Sequence, residues 1–175
     1  MKKRFFMLAA AGWLALALGT SCNNDDDNDN NNDNMAGTYR LSSWNMPVAV
    51  DFDNNGTSST NMMNESNCYN NSVMTVNNDG TYTMTYNSVG INGNTSSCQS
   101  QTTTGTWTRN GNTFTTSSGS GSAMTNTDYS FSSAGNNQTI TRYMTGAQYP
   151  SINSTTGDPM YSTGNVKMVF TRQDQ

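Results

Sequence analysis

SVMTVNNDGTYTMTY, residues 72–86, decides the fold. Tyr82, Met84 and Tyr86 fall on one face of an alternating run, opposite Thr81, Thr83 and Thr85. A period of two in β-branched and aromatic residues marks a half-buried strand, and Asn78-Asp79-Gly80 supplies the turn chemistry of a tight hairpin. The pattern recurs outward from there. GTWTRNGNTFTT, residues 105–116, is a second hairpin turning at Asn110-Gly111, and DYSFSSAGNNQTITRYM, 128–144, a third turning between Ala134 and Asn137. GTYRLSSWN, 37–45, places Tyr39 and Leu41 on one face with Thr38 and Arg40 on the other. PVAVDFDNNGT, 47–57, reads as a short extended run into a turn, and VKMVFTR, 166–172, as a last strand. Residues 88–103, SSGSGS at 117–122, and 145–165 read as loops, and one helical turn fits Asn61 to Ser66. The expected fold class is all-β: about eight antiparallel strands, up-and-down, closing into a small barrel that leaves no exposed edge.

Composition agrees and excludes several functions. Only 33% of the 175 residues are apolar and 11% charged, yet aromatic residues reach 10% and are spread through the alternating runs. The polarity comes from Thr, Ser, Asn and Gly, which suit strands and turns. Net charge is −4; without Lys2, Lys3 and Arg4, five basic residues face twelve acidic ones, a balance of −7. Binding nucleic acid requires clustered Lys and Arg, so no nucleic-acid partner is expected. The chain has no histidine. That removes the usual Ser-His-Asp and Cys-His systems and most zinc sites. Glu65 is the only glutamate, and no nucleophile-elbow, dinucleotide or P-loop motif occurs. The expectation is a protein that is not an enzyme, with no catalytic residues. Of the twelve methionines, Met74, Met84, Met144, Met168 and Met46 read as core fillers on strand runs, Met62-Met63 as packing of a short turn, and Met1 and Met7 belong to the N-terminal signal.

The N-terminus has its own organisation. Positive residues 2–4 precede the apolar run FFMLAAAGWLALAL, 5–18, which is short for a membrane span of about 20 residues but suits a secretory signal. Gly19, Thr20 and Ser21 then lead to Cys22, with Leu18 four positions before it. Residues 1–22 resemble a bacterial lipoprotein signal, which implies removal of 1–21 and lipidation of Cys22. Asn23 to Asn34 contains only Asn and Asp, the composition of a solvated tether. The acidic run Asp25-Asp26-Asp27 is similar to the surface-export signal of Bacteroidota lipoproteins. That similarity implies an outer-membrane lipoprotein exposed at the cell surface.

Residues 35–175 resemble the lipocalin-like domains of Bacteroidota lipoproteins. The resemblance rests on Gly37-Thr38-Tyr39, the DFDNNGTSSTNMMNESNCY segment, the NDGTY turn, Cys98, Gly105-Thr106-Trp107 and the terminal Phe170-Thr171-Arg172. It implies a barrel-closing pair in which Tyr39 of the first strand packs under Arg172 of the last, a cation–π contact.

Two further groupings carry chemistry. With Cys22 lipidated, Cys68 and Cys98 remain as a pair, which in an exported protein suggests a disulfide. A bond from Cys22 to either one is the alternative and leaves an odd thiol. Asp51, Asp53 and Asn55, with Gly56 behind them, match the front of a calcium loop, but its twelfth position is Met62. Ca²⁺ is therefore one candidate ion there, and an Asx-rich turn without metal the other. The functional expectation is a membrane-anchored carrier of a small apolar or amphipathic molecule. Its candidate lining is Tyr82, Met84, Tyr86, Trp107, Tyr129 and Phe131. The alternative is a non-enzymatic surface or structural module serving a larger envelope complex.

Overall fold

The structure is a computed structural model and describes residues 35–135 and 137–173; the expectations for the signal, Cys22 and the tether lie outside them. Nine strands form one antiparallel sheet: β1 (Gly37–Val50), β2 (Ser59–Asn61), β3 (Val73–Val76), β4 (Thr81–Asn92), β5 (Thr95–Asn110), β6 (Thr113–Ser118), β7 (Thr125–Ala134), β8 (Asn137–Ile152) and β9 (Pro159–Arg172). The order is β2-β1-β3-β4-β5-β6-β7-β8-β9, and β1 also pairs with β9. Eight strands thus close into a barrel, and β2 is added beside β1. Closure leaves every lower strand paired on both sides, the reason short polar strands are stable here.

The three hairpins turn where the sequence indicates, with Asn77–Gly80, Gly111 and Gly135 at the bends. Two segments expected to be loops are strands. Residues 88–103 belong to the β4–β5 hairpin, whose ladder runs without a break from Thr81↔Thr106 to Asn92↔Thr95. Residues 95–102 are exposed on both faces, so no apolar alternation betrays them. Residues 145–165 belong mostly to the β8–β9 hairpin, paired from Ala147↔Gly164 to Ile152↔Pro159. Pro150 is tolerated because β7 pairs with β8 only over 137–141, leaving upper β8 an edge where no donor is needed. The expected helical turn is two short 3₁₀ turns, Met62–Asn64 and Asn67–Tyr69. Asn61 caps the first by accepting from the Met63 N–H, and Ser66 caps the second by accepting from the Cys68 N–H.

A bulge in β1 sets the lining. The β1–β9 register shifts between Leu41 and Ser43. Tyr39, Leu41, Trp44 and Met46 are therefore all buried although strict alternation would turn Trp44 outward. Ser42, at the bulge, hydrogen-bonds the Val169 carbonyl at 3.0 Å and the Thr171 hydroxyl at 2.8 Å. Phe114, Phe170, Ile140, Met62 and Met74 are fully buried in the same core. Each such side chain contributes roughly 1.5–3 kcal/mol by leaving water.

Candidate functional site

At the end of the barrel that holds both chain ends, Tyr39 and Arg172 face each other in register. Gln138 bridges them through its side-chain oxygen. Arg172 Nη1 donates to Gln138 Oε1 at 2.6 Å and Nη2 to the Ala36 carbonyl at 2.8 Å. The Tyr39 hydroxyl lies 2.8 Å from the Met35 carbonyl and 3.1 Å from Gln138 Oε1. Burial pushes the Tyr39 phenol up to about 12, against the pull of Arg172. Gly37 makes room: a Cβ there would stand 2.9 Å from Arg172 Nε. Among the described residues the cation–π contacts are Arg109 on Phe131, 4.4 Å from the ring centroid, and Lys167 on Tyr143, at 5.5 Å.

The six candidate lining residues divide between two clusters. Trp107, Tyr129 and the unforeseen Phe114 form a chain of tilted rings with centroids 5.7 Å apart at each step. Tyr82 lies against Gly105, and Phe131 under Arg109. The Trp107 indole donates to the Asn77 carbonyl at 2.9 Å, so it seals the β3–β4 turn. This lower half is a packed core. Higher up, Tyr86 meets Tyr69 edge-on at 6.4 Å, and Tyr69 meets Trp44 at 5.2 Å. Met84 is half-buried between the two clusters. Tyr69 arrives on the second 3₁₀ turn, which Cys68 bonds to Cys98 of β5. The disulfide thus pins an inserted segment, Met62 to Ser72, into the upper wall.

Polar chemistry gathers around that upper cluster. Arg142 of β8 pairs with Met168 of β9, and Met168 with Trp44 of β1. Cross-strand partners share a face, so Trp44, Met168 and Arg142 form one row of the inner wall, flanked on β8 by buried Ile140. Burial pushes the Tyr86 phenol up to about 12, and the Trp44 indole and Arg142 pull against that rise. Burial also raises the Tyr129 phenol, again opposed by Arg142. Tyr69 is raised still further by burial. The Trp44 indole N–H is close enough to act on Tyr86 but lacks hydrogen-bond geometry, and it is the one buried side-chain polar atom without a partner among the described residues. Trp44, Tyr69, Phe114 and Arg142 are site residues that the sequence reading did not name.

The wall opens beside this row. Past Asn45↔Lys167 the strands β1 and β9 part. A cleft of about 370 Å³ lies there, lined by Asn45, Met46, Tyr143, Met144, Val166 and Lys167, among others. Met46 and Val166 are buried core residues that form its floor, whereas Tyr143 is 67% exposed. Above, the two long hairpins touch: the Tyr161 hydroxyl accepts from the Ile91 N–H at 3.1 Å and lies 3.4 Å from the Val89 carbonyl.

The Asp51 loop is a separate place. The Asn55 N–H donates to Asp51 and Asp53, and the Gly56 N–H donates to Asp51. Asn55 turns its own Oδ1 to the Thr57 N–H, and Asn54 adopts φ 57°. Glu65, buried to 3% exposure, accepts from the Phe52 N–H at 2.9 Å. Carboxylate oxygens of Asp51, Asp53 and Glu65 lie within 4.8 Å of one another. Glu65 therefore reaches the loop, although it is not at the twelfth position.

No family model matches the chain, and neither a curated protein nor a solved structure matches it.

Proposed function

We propose that the chain is a lipid-anchored carrier of a small apolar or amphipathic molecule at the cell envelope, without enzymatic activity. One observation carries the reading. A closed barrel with an aromatic and methionine interior has a cleft in its wall whose lining includes the core residues Met46 and Val166 and the half-buried Met144. Barrels of eight strands are wide enough for one small ligand. Lipid on Cys22 and the Asn/Asp tether at 23–34 would hold the barrel off the outer membrane. Native mass spectrometry of the full chain from its own membrane tests both halves. The expected spectrum shows an acylated Cys22 and a retained small molecule. Bare protein with an unmodified Cys22 would refute the proposal.

The alternative, a surface module for a larger complex, has one observation in its favour. Upper β5, residues 95–104, pairs with β4 alone and offers a polar free edge for a partner's strand. Co-purification of a stable protein partner, lost when Pro is placed on that edge, would favour it.

A further inference from the structure

We propose that Arg142, the Trp44 indole N–H and the Tyr86 hydroxyl form the receptor for a carboxylate, so that the carried molecule is an anionic single-chain amphiphile bound head-inward. The inference deepens the carrier reading and rests on it.

The first step is position. Arg142 shares an inner row with Met168 and Trp44, and it lies within electrostatic range of both the Tyr86 and Tyr129 phenols. The second is the absence of an acceptor. Among the described residues no hydrogen bond or ion pair engages its guanidinium. Asp128, the acid on the neighbouring strand, is exposed and bonded to Thr115 at 2.7 Å. Glu65 faces the Phe52 N–H instead. Arg142 is half-buried, so its charge is only partly hydrated and gains from a partner of opposite sign.

The third step is the balance of donors. A guanidinium carries five N–H groups and no acceptor, the indole carries one donor, and a phenol adds another. Donors share this row beside the cleft, one of them the unpartnered Trp44 indole N–H, and among the described residues none of them is paired with a carboxylate. A carboxylate fits that set because its two oxygens lie in one plane and match the guanidinium fork. The fourth is polarity along the barrel. The residues next above the row toward the mouth are Met46, Met144 and Val166, which line the cleft. A head at Arg142 therefore leaves its tail against methionine and valine at the cleft.

Equilibrium dialysis of the full chain against labelled palmitate and against palmityl alcohol tests this, because the two probes differ at the head alone. Palmitate is expected to bind at least about tenfold more tightly, the worth of a charge-assisted hydrogen bond. Arg142→Gln should erase the preference and leave alcohol binding unchanged, and Trp44→Phe should lower palmitate binding a few-fold. Equal binding of the two probes by the wild type would overturn the carboxylate receptor while leaving the carrier reading intact. So would an acid preference that survives Arg142→Gln. If that variant fails to fold, Arg142→Lys replaces it: it keeps the charge but not the fork, and an unchanged preference in both it and Trp44→Phe overturns the assignment. Binding of neither probe, by a protein that also retains no small molecule from its membrane, removes the carrier reading itself.

Discussion

Removing the Cys68–Cys98 bond is the most informative single perturbation of this barrel. The bond closes a loop of 30 residues, for which the loss of chain entropy in the unfolded state amounts to about 3–4 kcal/mol. Cys68 is half-buried and Cys98 exposed, so Cys68→Ala with Cys98→Ser removes little packing. A loss of that size is a large share of the roughly 5–15 kcal/mol that holds a domain together. In a domain of this length it should lower the melting temperature by about 10 °C. Location adds a second expectation. The bond ties the segment carrying Met62 and Tyr69 to upper β5, which has only β4 beside it. Amide exchange should therefore accelerate first at 62–72 and 95–104, with the lower hairpins still protected. Urea unfolding and exchange mass spectrometry read the two effects separately. A loss below about 1 kcal/mol would refute the reasoning, because it would mean that burial of Met62 and Tyr69 alone fixes the segment.

Three further outcomes follow from the same geometry. Tyr39 and Tyr86 have folded pKa values of about 12 against 10.0 when unfolded, so their stabilising effect is complete below pH 10 and is lost as pH rises toward 12. Each unit is worth about 1.4 kcal/mol per phenol. Phenolate absorbance should rise together with loss of near-ultraviolet dichroism, and phenolate formation with the dichroism intact would contradict it. Gly105→Ala should cost at least about 3 kcal/mol, because the new methyl overlaps the Ser117 carbonyl, which is fixed in the β5–β6 ladder; a soluble variant with an unchanged melting point would show that the ladder yields. Glu65→Gln relieves repulsion among three clustered carboxylates, so in chelator it should melt above the wild type. Calcium at about 1 mM, within the range of extracellular modules, should reverse that order, and an equal response of both proteins would show that the loop takes no ion through Glu65.

The sequence makes the barrel visible wherever one face is apolar. Tyr82, Met84 and Tyr86 alternate with threonines, and Val166, Met168 and Phe170 with Lys167, Val169 and Thr171, so period and turn chemistry locate those strands. Upper β5 is invisible for a physical reason: with both faces in water, its positions are filled by Ser, Thr and Gln around Cys98 and no period survives. Its evidence is the backbone ladder to β4, which leaves no trace in side-chain pattern. Upper β8 is hidden differently, because two prolines near the bend suggest a loop. They are compatible with strands because β7 has ended beside Pro150 of β8 and β1 has parted from β9 before Pro159, so each has one edge that needs no donor.

The candidate site divides along the same line. The five lining aromatics and Met84 were readable because they are large and periodic, yet the lower ones fill space rather than border it. What distinguishes the upper wall depends on parity. Trp44 points inward only because the bulge at Ser42 inserts a residue, and no alternation rule signals where a bulge falls. Arg142 is the reverse case. In TITRYM, residues 139–144, it shares its face with Ile140 and Met144, while the more apolar-looking Tyr143 faces solvent. The signal was present, but a charged residue is ordinarily assigned to water and an aromatic to the core. The interior cation is the exception to that assignment, and exceptions of this kind are where a stable scaffold gives way to a binding site. A barrel selected for stability alone would carry leucine at position 142 and supply an acceptor for the Trp44 indole N–H. Arg142→Leu should therefore raise the melting temperature of the ligand-free protein while abolishing preference for an acid head. If the variant instead melts lower, the guanidinium is holding the wall together, and its role is structural.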